Sequence, residues 1–227
     1  IDLYSYREQI EFAINKSLEM YQKAQEANNV RGLIGAKQCL ANAYMGTGRW
    51  EEGKKALEEA HMLLPKLDNV IVHNSVLCQL VSLSKAKDDF ENLKKYLDEQ
   101  KSILEDYIRK NPTMEEAFQD PLIFNELYYA YYYLEMNQPH PAFEHLQKGA
   151  KYLTPHTYFM YRVLYYDAYA LYYRRCKEYD KALSQLDSTI VLLQEAFSSD
   201  YVNQLSAKAD ILVEAGRSQE ALPIYEK

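Results

Sequence analysis

The chain has 227 residues, 48% of them apolar, which is enough for one large domain or two small ones with a substantial core. Only seven glycines and seven prolines occur, and residues that favour helices over strands are abundant. The net charge of −7, with no basic stripe, predicts that this segment binds neither nucleic acid nor an anionic membrane surface.

A pattern recurs along the chain at a spacing of about 40 residues. Residues 4–30 fit only its second half and predict one helix. The first full copy spans residues 34–67. It holds a small residue, an aromatic residue three positions later, a glycine and an aromatic residue at a turn, and then small and apolar residues in a second helix. These are Ala41, Tyr44, Gly48, Trp50, Gly53 and Leu57.

Further copies follow in chain order. A weaker one spans 74–108, and two clearer ones span 123–156 and 163–197. A last copy, 202–227, stops inside its second helix. Residues 109–121 contain two prolines and predict an irregular connector with at most a short helical turn.

These residues resemble the tetratricopeptide repeat, a helix–turn–helix unit. The resemblance implies an all-α fold, a right-handed α-solenoid of about 11 helices formed as a single array over residues 1–227. Because the chain opens on a second helix without its first and closes within another, we expect a fragment of a longer protein. The small residues are expected to let paired helices approach closely.

The tyrosine run "YYAYYY", residues 128–133, aligns with "AYALYY", residues 168–173, after a shift of one repeat. In the repeat family these positions face the partner helix or the previous repeat. We therefore predict that the tyrosines mainly serve packing, with hydroxyl groups reaching water or a polar partner at the edge.

The resemblance also places a set of side chains along a concave groove. Three belong to the first copy and three to the weaker one, and the others come from the later copies. The set is Gln38, Asn42, Met45, Cys78, Ser82, Lys85, Phe124, Leu127, Tyr131, Leu134, Leu164, Asp167, Leu171, Arg174, Asn203, Ser206 and Asp210. An ordinary solvated face is the alternative interpretation. A clamp for peptide carboxylates is not expected, because Gln38 and Cys39 replace the lysine and asparagine of that motif.

No pattern in the sequence indicates catalysis or a cofactor. The five histidines form no metal-binding pair, no CxxC motif occurs, and no glycine-rich phosphate loop or nucleophile motif is present. We interpret the three cysteines, Cys39, Cys78 and Cys176, as buried free thiols. The segment is predicted to be non-enzymatic.

Repeats of about 40 residues resemble the N-terminal sensory arrays of bacterial sensor histidine kinases and transcriptional regulators. This implies an interaction or sensing module with a protein or peptide partner, or else a small ligand. One alternative is a structural adaptor or dimerisation arm that forms homodimers. Another is a periplasmic glycan-binding protein that uses Phe124 and Tyr131 as stacking platforms. The compartment stays open between periplasm, as a sensor ectodomain, and cytoplasm.

Overall fold

The computed structural model describes residues 3–194 and 199–225, which form eleven α-helices, three short 3-10 helices and no strand. This confirms the all-α prediction. The α-helices are α1 (Leu3–Glu26), α2 (Val30–Gly46), α3 (Trp50–Leu63), α4 (Val70–Ala86), α5 (Phe90–Lys110), α6 (Gln119–Glu135), α7 (Pro139–Tyr152), α8 (Phe159–Arg175), α9 (Tyr179–Gln194), α10 (Ser199–Glu214) and α11 (Ser218–Tyr225). No helix in these ranges is long and apolar enough to cross a membrane.

The helices belong to two compact units, Ile1–Lys110 with α1 to α5 and Asn111–Lys227 with α6 to α11. We call them unit 1 and unit 2. In unit 1, α2 pairs with α3 and α4 with α5, while α1 packs on α2. In unit 2 the pairs are α6 with α7, α8 with α9, and α10 with α11. Each pair is a helical hairpin closed by a short turn.

The segment predicted as a connector contains two 3-10 turns, Pro112–Met114 and Glu116–Phe118. Its second proline, Pro121, does not end a helix but lies in the first turn of α6. Proline is tolerated there because the amides of a first helical turn have no intrahelical acceptor.

The small residues of the pattern lie where paired helices meet, and all of them are buried. At Gly53, a Cβ atom would lie only 2.7 Å from Met45 Cγ and 3.2 Å from the carbonyl oxygen of Ala41. Helices α2 and α3 can approach this closely only because the side chain is absent. The other small residues of the pattern at these helix contacts are Ala130, Ala142, Ala170, Ala182, Ala209 and Ala221.

The turn inside each hairpin uses one residue in the left-handed backbone region. Gly48 and Gly216 both have φ of 75°, and the equivalent positions hold Asp88, Asn137 and Lys177, with φ between 52° and 60°. The recurring feature is therefore a backbone conformation, for which glycine is the easiest residue. This explains why Gly48 of the sequence pattern aligns with a lysine.

The tyrosine run contributes to packing in unit 2, as predicted. Tyr129 is buried, and the rings of Tyr129 and Tyr133 stack on His145 with centroids 4.8 and 5.3 Å away. Nδ1 of His145 lies 2.6 Å from Oε2 of Glu126. Two neighbouring turns of α6 thus hold His145 of α7 by ring stacking and by a hydrogen bond to a carboxylate.

The cysteine prediction was wrong for Cys39, which is exposed. Residues 39, 42 and 46 share the solvent-facing side of α2, whereas Leu40 and Ala41 face the core. Cys78 and Cys176 are half-buried free thiols.

Candidate functional site

Three predicted groove residues, Gln38, Asn42 and Met45, lie one turn apart on the same face of α2. Asparagine caps set the start of both helices that form this surface. Asn29 Oδ1 accepts a hydrogen bond from the Gly32 amide at 3.0 Å, and Asn69 Oδ1 accepts one from the Val72 amide at 3.0 Å. The caps therefore fix where α2 and α4 begin.

A chain of side-chain amides joins α2 to α4. Gln38 Nε2 donates to Gln79 Oε1 at 2.8 Å and to Ser75 Oγ at 2.9 Å, and Gln79 Nε2 donates to Asn42 Oδ1 at 2.9 Å. Asn42 is exposed, and its Nδ2 has no hydrogen-bond partner among the residues that the structure describes. The network therefore orients the Asn42 amide and leaves its two N–H donors for a ligand.

Beside this amide lies an open depression of about 370 Å³ in unit 1. Two residues of the weaker copy that were placed in the groove, Cys78 and Ser82, line it together with Asn42 and Met45. Its apolar lining also includes Leu83 and Trp50. Four of the predicted groove residues are thus brought together at one place.

Trp50 was predicted only as the aromatic residue of the repeat turn. The structure adds it to the rim of the depression, where it is 37% exposed. The Lys87 ammonium lies 4.5 Å from its ring centroid, close enough for a cation–π contact. Gln79 also escaped prediction. Gln79 lies 37 residues after Asn42 and 41 after Gln38, which is about one repeat. Because side chains about one repeat apart meet, this spacing could have predicted that Gln79 belongs to the site.

Cys78 does not make this surface reactive. Burial raises the pKa of its thiol to about 12. Gln100 Nε2 lies 3.1 Å from Sγ and also donates to Asn74 Oδ1 at 2.9 Å. Since the thiolate is the nucleophilic form of cysteine, a thiol with this pKa contributes shape and polarity only.

In unit 2 the groove prediction was wrong for three residues of α6. Phe124, Leu127 and Leu134 are 9%, 1% and 1% exposed. A Cβ atom on Gly149 would lie 3.2 Å from Leu127 Cδ2, so Leu127 fills the contact between α6 and α7. Both α7 and α8 pack on α6, which leaves little of that helix for a ligand. Phe124 stacks on Tyr128 at 4.2 Å, and this removes the predicted glycan platform.

The predicted residues of α8 have mainly structural contacts. Asp167 accepts hydrogen bonds from Thr189 Oγ1 and from Gln204 Nε2, both at 2.9 Å. Arg174 forms an ion pair with Glu214, with Nε 3.1 Å from Oε2, and lowers the pKa of that carboxyl group. These contacts tie α8 to α9 and α10.

The remaining predicted positions do not converge. Leu164 is half-buried and packs against the unit 2 core, while Tyr131 and Leu171 are half-buried as well. Asn203 and Asp210 are exposed on α10, and Asp210 accepts a hydrogen bond from the Tyr225 hydroxyl at 2.8 Å. Within unit 2 the predicted set is therefore divided among core, inter-helix and surface positions.

Solved structures share this arrangement of helices. BtubC (BKLC) from P. vanneervenii superposes with a TM-score of 0.69 at 13% identity, covering 96% of this chain and 88% of BtubC. A tetratricopeptide repeat protein from Parabacteroides merdae superposes with a TM-score of 0.52 at 14% identity, covering 96% of this chain and 78% of that one.

The chain has a tetratricopeptide-repeat fold. The resemblance drawn from the sequence is thereby confirmed at the level of the fold. No protein-family model and no curated protein matches the sequence. Across residues 3–194 and 199–225, no group of three histidine, cysteine, aspartate or glutamate side chains could hold a metal ion.

Proposed function

We propose that this tetratricopeptide-repeat chain is a non-enzymatic interaction module that binds an extended peptide segment of a partner protein on unit 1. The observation that carries the proposal is the oriented Asn42 amide beside the apolar depression between α2 and α4. We call this surface, formed by Gln38, Asn42, Met45, Trp50, Gln79 and Leu83, the α2–α4 surface.

The chemistry of the α2–α4 surface suits a peptide. A primary amide donates to backbone carbonyl groups, and an extended peptide presents these at regular intervals. Met45, Trp50 and Leu83 line a depression of about 370 Å³, which is large enough for an apolar side chain. Methionine adapts to different shapes, so this pocket is expected to accept several apolar residues.

Trp50 is the only tryptophan in the sequence and therefore reports directly on the site. We would select binding peptides from a random displayed library and titrate them while recording tryptophan fluorescence. Asn42→Ala and Met45→Glu are each expected to weaken binding at least about tenfold. Lys55→Ala, an exposed position on α3 outside the depression, is the matched control and should bind as the native chain does.

Two results would contradict the proposal. Selected peptides that bind the Met45→Glu variant with native affinity would exclude the α2–α4 surface. Peptides that bind without changing the Trp50 signal in either direction would place the contact elsewhere on the chain.

We also propose that the module forms the sensory or regulatory part of a larger bacterial signal-transduction protein. The repeat spacing of about 40 residues supports this assignment. Sequencing the reading frame on both sides of the chain is the test, since a kinase core or a DNA-binding domain is expected there. A chain that dimerises in sedimentation, also within a longer segment, and binds no peptide would favour the structural adaptor instead.

A further inference from the structure

A second cleft lies in unit 2, between α8 and α9, with a volume of about 500 Å³. Arg162 and Tyr166 line it from α8, and Ser184, Ser188 and Val191 line it from α9. Ser184 and Ser188 are one turn apart, so their small side chains leave a gap along one helix face, and Val191 follows one turn later. The volume lies within the range of small-molecule sites.

The guanidinium group of Arg162 lacks a hydrogen-bond partner at Nε within the described part of the chain. Its Nε atom is buried and has no hydrogen-bond partner, the only such side-chain atom in the described ranges. Within those ranges Arg162 also forms no ion pair. A buried donor without an acceptor is unfavourable, and native proteins rarely leave one without a ligand, ion or water.

The corresponding position in unit 1 holds an ion pair. In unit 1, Lys37 of α2 forms an ion pair with Glu59 of α3. The alignment of Ala41 with Ala170 places Tyr166 on Lys37 and Ser188 on Glu59. The cleft therefore lacks both members of that pair, and Arg162, which aligns with Leu33, is a cation that the corresponding hairpin of unit 1 does not have.

The other groups at the cleft define the ligand. Asp187 also lines it but pairs with Lys208 of α10, so Arg162 contributes a single net positive charge. The hydroxyl groups of Tyr166 and Ser184 have no hydrogen-bond partner among the described residues and supply two neutral donors. The side chains of Val191 and Leu192 form an apolar wall of the cleft.

We propose that the cleft between α8 and α9 binds a small organic monocarboxylate, with its carboxylate on Arg162 and its apolar body against Val191 and Leu192. A guanidinium matches a carboxylate with two parallel hydrogen bonds, and Nε–H is one of the donors it uses. Because the surrounding protein shields Nε, binding includes a turn of the Arg162 side chain toward the ligand. A phosphate dianion fits less well, since Asp187 lies at the same cleft.

The test uses benzoate as the probe and ¹⁵N NMR of the arginine Nε–H groups as the readout. Benzoate is expected to shift the Arg162 signal downfield and to saturate, whereas benzamide, its neutral analogue, should have no effect. Arg162→Gln should weaken benzoate binding at least about tenfold. Arg31→Gln, an exposed arginine of unit 1, is the matched control and should bind normally.

A second variant distinguishes loss of the binding site from loss of folding. Ser184→Leu keeps the charge of Arg162 but fills the cleft, and it too should abolish benzoate binding while the helical circular dichroism stays native. Equal binding of benzoate to Arg162→Gln and the native chain would overturn the proposal. So would equal binding of benzamide, or preferential binding of inorganic phosphate, because either result would identify another ligand class.

Discussion

Gly53→Ala tests whether close helix packing decides the stability of unit 1. Alanine is favoured over glycine inside a helix by about 0.5–1 kcal/mol. At Gly53, however, the new Cβ would lie 2.7 Å from Met45 Cγ and 3.2 Å from the Ala41 carbonyl oxygen. The methionine can move aside, but the carbonyl oxygen belongs to the backbone of α2 and moves only with the helix.

Carbon atoms in contact normally lie about 3.5–4.0 Å apart, so Met45 has to shift by roughly 1 Å. Overpacking of this kind typically costs about 1–3 kcal/mol. After the gain in helix propensity is subtracted, Gly53→Ala is expected to lower the free energy of unfolding by up to about 2.5 kcal/mol. The displaced Met45 should also weaken peptide binding at the α2–α4 surface.

Gly35→Ala is the matched control in the same unit. Its nearest neighbour to a new Cβ would be Met20 Cε at 4.0 Å, an ordinary contact. This variant should raise the free energy of unfolding by about 0.5–1 kcal/mol. Urea titration followed by Trp50 fluorescence measures both, because that residue lies in unit 1. If Gly53→Ala proves as stable as Gly35→Ala, the close-packing argument is refuted.

Three further outcomes are expected. Leu127→Ala should lower the free energy of unfolding by about 2–5 kcal/mol in urea titration, because it leaves a cavity against α7. Glu126→Ala should cost about 1–3 kcal/mol in the same measurement, since it leaves the buried His145 ring nitrogen without its acceptor. Iodoacetamide should modify the exposed Cys39 in the folded chain and spare Cys78, whose thiol pKa is raised to about 12, until urea unfolds it. Mass spectrometry of the peptides separates the two sites.

Each of the two stability predictions has a control variant. Leu222→Ala, 59% exposed, should change stability by no more than about 0.5 kcal/mol. Glu144→Ala removes the exposed pair with His140 and should likewise have little effect. Equal losses for the buried and exposed variants would mean that burial does not determine the effect. Equal alkylation of the two cysteines would mean that Cys78 is more accessible than the structure shows.

The sequence was sufficient for the fold because close packing restricts residue size at regular intervals. Positions such as Ala41 and Gly53 accept only small side chains, and this restriction recurs with each hairpin. The left-handed turn was less visible, since Asp88 and Lys177 adopt the conformation that glycine adopts elsewhere.

The candidate site was only partly predictable. Gln38, Leu127 and Asp167 occupy the same repeat position, but their surroundings depend on the residue opposite in the second helix. Gly149 leaves a space that Leu127 fills, whereas Thr189 donates a hydrogen bond to Asp167. A repeat position therefore specifies the direction in which a side chain leaves its helix. The side chains around it determine whether that side chain is buried in the core or lies at the surface. The unpaired Arg162 likewise became apparent only when its neighbours were known.

Two ion pairs of unit 2, Arg174 with Glu214 and Arg175 with Glu135, each join residues separated by 40 positions. This spacing is the length of the repeat itself. An in-frame duplication of one repeat in unit 2 would place each of these positions opposite its own copy, arginine against arginine or glutamate against glutamate, and would recreate neither pair at the new junction. The contacts that hold neighbouring hairpins together therefore fix the order of the repeats as well as their spacing.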